Sequence, residues 1–174
     1  MQGQAEVNLV TETLNFDVVV VGSGIAGLRA ALEAARVSKG KCNLAVVTKV
    51  QAMRSHSVSA EGGTAAVLYP DKGDSIESHI FVKAMPAEIY LLEHWGMPWS
   101  RTDDGRIAQR NFGGCSFPRA TFAGDRVGFF QMQTLYDTTR KYDNIHFFQE
   151  WYVTSLLVEH GAFRGVAHYR RSSR

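Results

Sequence analysis

Phe16-Asp17-Val18-Val19-Val20-Val21-Gly22-Ser23-Gly24-Ile25-Ala26-Gly27 decides the fold. A β-branched run with no polar break reads as a parallel strand buried on both faces. Gly22, Gly24 and Gly27 follow with G-x-G-x-x-G spacing: one for a tight bend, one for close approach of backbone to a pyrophosphate, one for helix against strand. Residues 24–37 are rich in Ala, Leu and Arg and predict a helix. Its opening N–H groups, from Ser23 through Gly24, Ile25, Ala26 and Gly27, would face the phosphates, with the positive end of the helix dipole behind them.

A second apolar run, Asn43 to Thr48, closes a βαβ unit of about the usual thirty residues. The fold class is therefore α/β, Rossmann-like. One feature departs from the simple pattern. An acid is expected at the end of the second strand to hold ribose hydroxyls, and the chain has Thr48-Lys49-Val50 there. A hydroxyl can still bond a ribose, and a lysine suits a phosphate or an anionic cofactor.

Composition narrows the class. Of 174 residues, 45% are hydrophobic and 21% charged, with a net charge of +2, which describes a globular domain without the field that attracts nucleic acid. No stretch approaches the ~20 uninterrupted apolar residues of a membrane span. Met1 to Asn15 is polar and acidic, with neither the basic nor the apolar region of an export signal. Cys42 and Cys115 form no C-x-x-C, and His79, His94, His146, His160 and His168 lack metal spacing, so no metal site is expected. A reducing cytoplasm fits this cysteine usage.

Downstream of the βαβ unit stands Arg54-Ser55-His56-Ser57-Val58-Ser59-Ala60-Glu61-Gly62-Gly63. With the Thr48-Lys49 pair, this string resembles the flavoprotein subunit of the succinate dehydrogenase and fumarate reductase family. The resemblance continues through Glu93-His94-Trp95-Gly96-Met97-Pro98-Trp99-Ser100-Arg101, Asp103 to Arg106, Phe112-Gly113-Gly114 and Arg119 to Arg126, and so covers Phe16 to Tyr169 almost throughout. Trp95-Gly96-x-Pro98-Trp99-Ser100-Arg101 and Arg119-x-Thr121-Phe122 look more like the fumarate reductase branch. The resemblance implies a glutathione-reductase-like FAD-binding domain with a small added β layer. It also implies FAD carried covalently through its 8α-methyl group on His56, with Ser57 where threonine is commoner. A neutral imidazole nitrogen is a competent nucleophile near pH 7.

Lys49, Val50, Ser55, Ala60, Glu61, Gly62, Gly63 and Val153 join the expected cofactor contacts. Gly62 and Gly63 would let backbone N–H groups reach the isoalloxazine ring or a substrate carboxylate. Glu61 either orients flavin or substrate or is a solvated loop carboxylate, and the backbone at Tyr152 or Val153 either touches adenine or simply packs the sheet. Arg119 and Arg126 pair with acids or with pyrophosphate.

The resemblance also says what to expect elsewhere. In the family, an arginine that moves the proton, with a histidine, a threonine and a second arginine that grip carboxylates, lie in a capping domain and the segments returning from it. None has a counterpart here, so no catalytic residue is expected in this chain and no turnover by it alone. After Ser78-His79-Ile80-Phe81 the family continues with roughly eighteen residues beginning Asp-Thr-Val, whereas this sequence passes directly to Val82-Lys83, which reads as an internal gap. The expected organisation is an extension 1–15, a partial FAD-binding domain 16–169 and a basic tail 170–174. Implied partners are succinate and fumarate, an iron–sulfur subunit, membrane anchor subunits with quinone, and a flavinylation assembly factor, on the cytoplasmic side of the inner membrane. The alternatives are an L-aspartate oxidase-like enzyme, which holds FAD without a covalent link, and a non-catalytic flavin-binding or assembly fragment.

The remaining segments give coarser expectations. Ile76 to Trp95 reads as a helix broken near Pro86 and ended by Gly96. Asp104-Gly105 marks a hairpin turn within Arg101 to Arg110. Asp125 is placed to cap a helix that runs to about Tyr142 with Val127, Phe130, Leu135 and Thr138 on its buried stripe. Three strands follow, Ile145 to Phe148, Tyr152 to Val158 and Phe163 to Tyr169, read as one layer, the last two joined through His160-Gly161.

Overall fold

The computed structural model describes residues 12–75 and 83–170. The junction after Phe81, the helix start expected at Ile76, His79, most of the N-terminal extension and the end of the basic tail lie outside the described residues.

Strand β1 (Val18–Val21), helix α1 (Ile25–Val37) and strand β2 (Leu44–Thr48) form the βαβ unit that the glycines foretell. β1 and β2 pair in parallel, Val18 with Leu44 through Val21 with Val47. Leu28, Ala31, Leu32 and Ala35 repeat at three- and four-residue spacing and bury one face of α1. β2 is buried along its whole length, as the central strand of a three-stranded sheet ordered β1-β2-β6, where β6 is Ile145–Gln149. β1 departs from the expected burial. Among the described residues it stands at the edge with β2 alone beside it, where Val18, Val19 and Val20 are half-buried and Val21 is exposed.

Two more helices complete the main core. α2 (Met85–His94) carries Pro86 in its first turn, so this proline starts the helix and does not break it: its missing N–H is one that a first turn leaves unbonded. At the other end Gly96 takes φ +106°, its N–H reaches the Glu93 carbonyl, and the Met97 N–H reaches that of Leu92, a Schellman closure. α3 (Val127–Thr139) is capped by the Arg126 backbone. Asp125 does not cap it. Its side chain makes no cap bond and lies exposed, 3.8 Å from Arg126. Leu28 and Leu32 of α1, Ile89 and Leu92 of α2, Val127, Met132 and Leu135 of α3, and Met97 and Trp99 pack together. Full burial of each large side chain contributes about 1.5–3 kcal/mol. Arg29 clasps Glu88 through two 2.7 Å bonds and also bonds Glu33, which fastens α1 to α2.

The rest is small open sheets. β3 (Thr64–Ala65), β4 (Gln109–Arg110) and β5 (Ala120–Thr121) form an antiparallel set ordered β3-β5-β4. The Asp104-Gly105 turn is present, closed by an Arg101–Ile107 bridge with Gly105 at φ +83°. β7 (Trp151–Glu159) and β8 (Ala162–Arg170) form a two-stranded ribbon whose turn, His160-Gly161, is left-handed at both residues, as a tight hairpin needs. The expected three-strand layer therefore divides: β6 pairs with β2 in the main sheet, and among the described residues β7 and β8 form the added layer.

Candidate dinucleotide site

The turn at Gly22 is where the main sheet offers backbone to a ligand. Gly22 takes φ +105° and donates to the Val47 carbonyl at 2.8 Å, which ties the bend to β2. A Cβ on Gly27 would fall on the Gly22 carbonyl oxygen, so α1 can start this close to β1 only with glycine there. A Cβ on Gly24 would meet the Ser55 and Ser57 hydroxyls at 3.1 and 3.2 Å. Among the described residues the N–H groups of Ser23, Gly24, Ala26 and Gly27 have no acceptor, and that of Ile25 donates to Ser57 Oγ at 3.3 Å. Four open donors at the positive end of a helix fit a pyrophosphate.

The side chains of Ser23 and Thr48 bond each other. Both are buried, and Ser23 Oγ lies 3.0 Å from Thr48 Oγ1 and 3.2 Å from the Ala52 carbonyl oxygen. A hydroxyl has one proton and a carbonyl only accepts, so Ser23 donates to Ala52 and the Thr48 proton serves the bond to Ser23. Thr48 then has only lone pairs for a ribose. Lys49 and Val50 are exposed beyond it, with Lys49 Nζ 5.4 Å from the centre of the Tyr152 ring. This contact brings the end of β2 to the ribbon. Tyr152 stacks on Tyr169 across the ribbon, and Val153 is half-buried opposite His168.

The His56 segment lies against the same turn. Single-turn 3-10 helices at Ala52–Arg54 and His56–Ser59 carry it, anchored by Gln149, which accepts from the Ala52 N–H at 2.9 Å. Ser55 Oγ accepts from the Ser57 N–H, and Ser57 Oγ holds Ile25, so the two serines flanking His56 bracket Gly24. The His56 imidazole is exposed and makes no hydrogen bond among the described residues. From below, the Gly128 N–H of α3 donates to the Ala60 carbonyl at 2.8 Å, and a Cβ on Gly128 would strike the Ser57 carbonyl oxygen. Sequence reading missed Gly128. Its only signal is a glycine in the first turn of a helix.

Glu61 is exposed and forms no ion pair among the described residues. At Gly62 and Gly63, glycine is demanded by the protein itself. A Cβ on Gly62 would stand 2.6 Å from the Phe112 ring, and one on Gly63, at φ +132°, would stand 2.7 Å from the Thr121 carbonyl. The Glu61 and Gly62 carbonyls accept from Arg110, another residue that sequence reading passed over. Arg119 is engaged elsewhere, in a buried pair with Asp74 that lifts its pKa further, while Arg126 is exposed. A cleft of about 450 Å³ lined by Tyr69, Lys72, Asp74, Arg106 and Phe117 lies apart from the glycine turn and includes none of the expected cofactor contacts. Among the described residues no group of three His, Cys, Asp or Glu side chains could hold a metal ion, and no helix is long and apolar enough to cross a membrane.

The comparisons with known proteins agree with this architecture. The family model described as FAD binding domain matches residues 17–81 and 78–174. The fumarate reductase flavoprotein subunit of Proteus vulgaris is 40% identical over 173 residues, covering 89% of this chain and 28% of that protein. The succinate dehydrogenase flavoprotein subunit of Coxiella burnetii is 41% identical over 177 residues, 87% of this chain and 29% of its own. Among solved structures, the FrdA chain of Escherichia coli quinol fumarate reductase superposes with a TM-score of 0.86 at 39% identity, over 91% of this chain and 30% of that one. The chain thus spans less than a third of the length of these relatives. The family match divides at 78–81, where the sequence reads as gapped. The Proteus alignment runs over 173 positions but takes in only 89% of this chain's 174 residues, so about eighteen positions have no residue here. The chain belongs to the FAD binding domain family, in the group of the fumarate reductase and succinate dehydrogenase flavoprotein subunits.

Proposed function

We propose that this chain is the FAD-binding part of a flavoprotein that interconverts succinate and fumarate, with FAD attached covalently to His56. The observation that carries this is the placing of His56: an exposed imidazole without a hydrogen-bond partner among the described residues, held by Ser55 and Ser57 beside a helix N-terminus with open donors. The N–H groups of Ser23, Gly24, Ala26 and Gly27 hold the pyrophosphate. Lys49 neutralises anionic charge at the end of β2, and the ribbon at Tyr152 and Val153 covers the adenine end. His56 would hold the 8α carbon through an imidazole nitrogen, the 8α C–H and the imidazole N–H giving up their protons and the electron pair passing to the flavin ring, and the link would keep the cofactor from leaving. Gly62 and Gly63 present their N–H groups to the ring or to a substrate carboxylate.

FAD held there supplies hydride exchange between its N5 and the C2–C3 bond of succinate or fumarate. The proton-moving arginine and the carboxylate grips belong to the longer protein. Electrons pass to an iron–sulfur subunit and, through a membrane anchor, to quinone, with the flavoprotein peripheral on the cytoplasmic face of the inner membrane. The relatives' names, flavoprotein subunits and a quinol fumarate reductase, support an enzyme of several subunits that meets quinol. An assembly factor would assist the attachment.

Intact mass with in-gel flavin fluorescence after acid denaturation tests the reading, with His56→Ala as control. The chain should gain the mass of one FAD and fluoresce, and His56→Ala should lose both. Flavin that binds but leaves on denaturation would favour the L-aspartate oxidase-like alternative. No flavin in either sample would leave the chain a fragment without the function proposed.

A further inference from the structure

The Glu61–Gly63 loop depends on one side chain outside it. Arg110, in β4, donates from Nε to the Gly62 carbonyl at 3.2 Å, and from Nη2 to the Gly62 and Glu61 carbonyls at 2.9 and 2.8 Å. Its guanidinium carbon lies 4.6 Å from the centre of the Phe122 ring, a cation–π contact. Among the described residues no carboxylate pairs with Arg110, so its hydrogen bonds go to two consecutive peptide carbonyls.

Peptide planarity turns this into a statement about the opposite face. In a trans peptide the carbonyl and the following N–H point in opposite directions, and no peptide bond in the described chain is cis. With the Glu61 and Gly62 carbonyls held on Arg110, the N–H groups of Gly62 and Gly63 point away from it. Neither finds an acceptor among the described residues. Phe112 on one side and β5 on the other occupy the space through which the two glycines could rotate. Two adjacent N–H groups with a fixed cation behind their peptides make a preorganised donor pair for an electron-rich oxygen.

We infer that Arg110 is the positioning residue that aims the Gly62 and Gly63 N–H groups at a negatively polarised oxygen of the bound ligand, either a carbonyl of the flavin ring or a carboxylate of a dicarboxylate. This rests on the function proposed above. Arg110 itself touches neither ligand; it acts through the loop.

The test compares the chain with Arg110→Met, which keeps length and removes the donors, and Arg110→Lys, which restores one. ADP probes the pyrophosphate end alone and FAD probes both ends. Succinate, added to the FAD-loaded chain, probes the carboxylate arm through the flavin absorption band. Arg110→Met should leave ADP affinity unchanged and weaken either FAD or the succinate response by about tenfold to a hundredfold, as expected for loss of hydrogen bonds to charged groups. Arg110→Lys should recover part of the loss. Loss confined to FAD identifies the ring oxygen; loss confined to succinate identifies the carboxylate. Equal loss of ADP and FAD, or no loss in any arm, would overturn the inference. If the unmodified chain bound neither FAD nor ADP, the proposed function would fail by itself. Amide order parameters of Gly62 and Gly63 in the free chain would still decide the role of Arg110: rigid in the parent and mobile in Arg110→Met supports it, and rigid in both refutes it.

Discussion

The molecule has two glycine clusters that look alike in sequence and are built on different grounds. At Gly27 the crowding atoms belong to the turn itself and at Gly24 to Ser55 and Ser57 beside it, Gly22 meets nothing within 4 Å and is set by its positive φ, and the donors left open are chiefly those of a helix start. At Gly62 and Gly63 the crowding atoms come from Phe112, in the loop after β4, and from Ala120 and Thr121 of β5, all about fifty residues further along the chain. The first cluster is shaped locally. The second is shaped by a frame, and its geometry exists only once β3, β4 and β5 have assembled.

The difference can be tested by filling each cluster. Gly27→Ala should have the largest effect: its methyl would fall on a backbone oxygen that cannot move without dismantling the turn, so urea unfolding should show a loss of more than about 3 kcal/mol, or no folded protein. A stable Gly27→Ala chain would show that α1 does not need its close approach to β1. Gly62→Ala meets a ring edge that can move and should cost about 1–2 kcal/mol. Removing that ring in Gly62→Ala/Phe112→Ala should recover most of the loss, and a strictly additive double mutant would mean that Phe112 does not dictate the glycine.

Smaller effects sharpen the picture of the first cluster. Thr48→Val removes the hydroxyl that bonds Ser23 and should lower stability by about 1 kcal/mol by thermal unfolding, although its surroundings are buried and its shape is kept. An unchanged melting temperature would reassign the Ser23 proton network. Smallest is the acid dependence of α1. Arg36 first, then Arg29, hold the Glu33 carboxyl at about 2, below its ordinary 4.5. A depressed carboxylate contributes stability above its unfolded pKa and loses it as pH falls through the folded one, so the window runs from about 4.5 down to about 2. Glu33 is more than a third exposed, and screening holds the contribution below about 1 kcal/mol. Urea midpoints of the parent and Glu33→Gln should differ at neutral pH, draw together below about pH 4.5 and converge by about pH 2; a constant gap would assign the difference to something other than charge.

Legibility in the sequence follows the same division. The βαβ unit could be read because its signals are periodic and contiguous: a valine run, spaced glycines, a helical stripe and a second apolar run. The His160-Gly161 hairpin was legible for the same reason. What could not be read depends on partners far along the chain. Nothing in Ile145 to Gln149 says that it pairs with Leu44 to Thr48 and not with the ribbon that follows it. Asp125 has the right chemistry for a cap, yet the entry of the chain into α3 puts Arg126 at the capping position. Pro86 reads as a breaker only if the helix begins upstream of it. At the site, His56 and the glycines were legible as residues, whereas the tie of Ser23 to Thr48 and the grip of Arg110 on the loop are distances that no spacing reports.

Gly128 gives one more consequence. Helix α3 rests directly under the Ser57 carbonyl and bonds Ala60, so the segment bearing His56 is clamped between two helix starts, α1 in front and α3 beneath. The histidine therefore works less like a side chain on a flexible loop than like a tool bit in a vice. A methyl group added at Gly128, which would strike the Ser57 carbonyl oxygen and Ala60, would shift where His56 can reach.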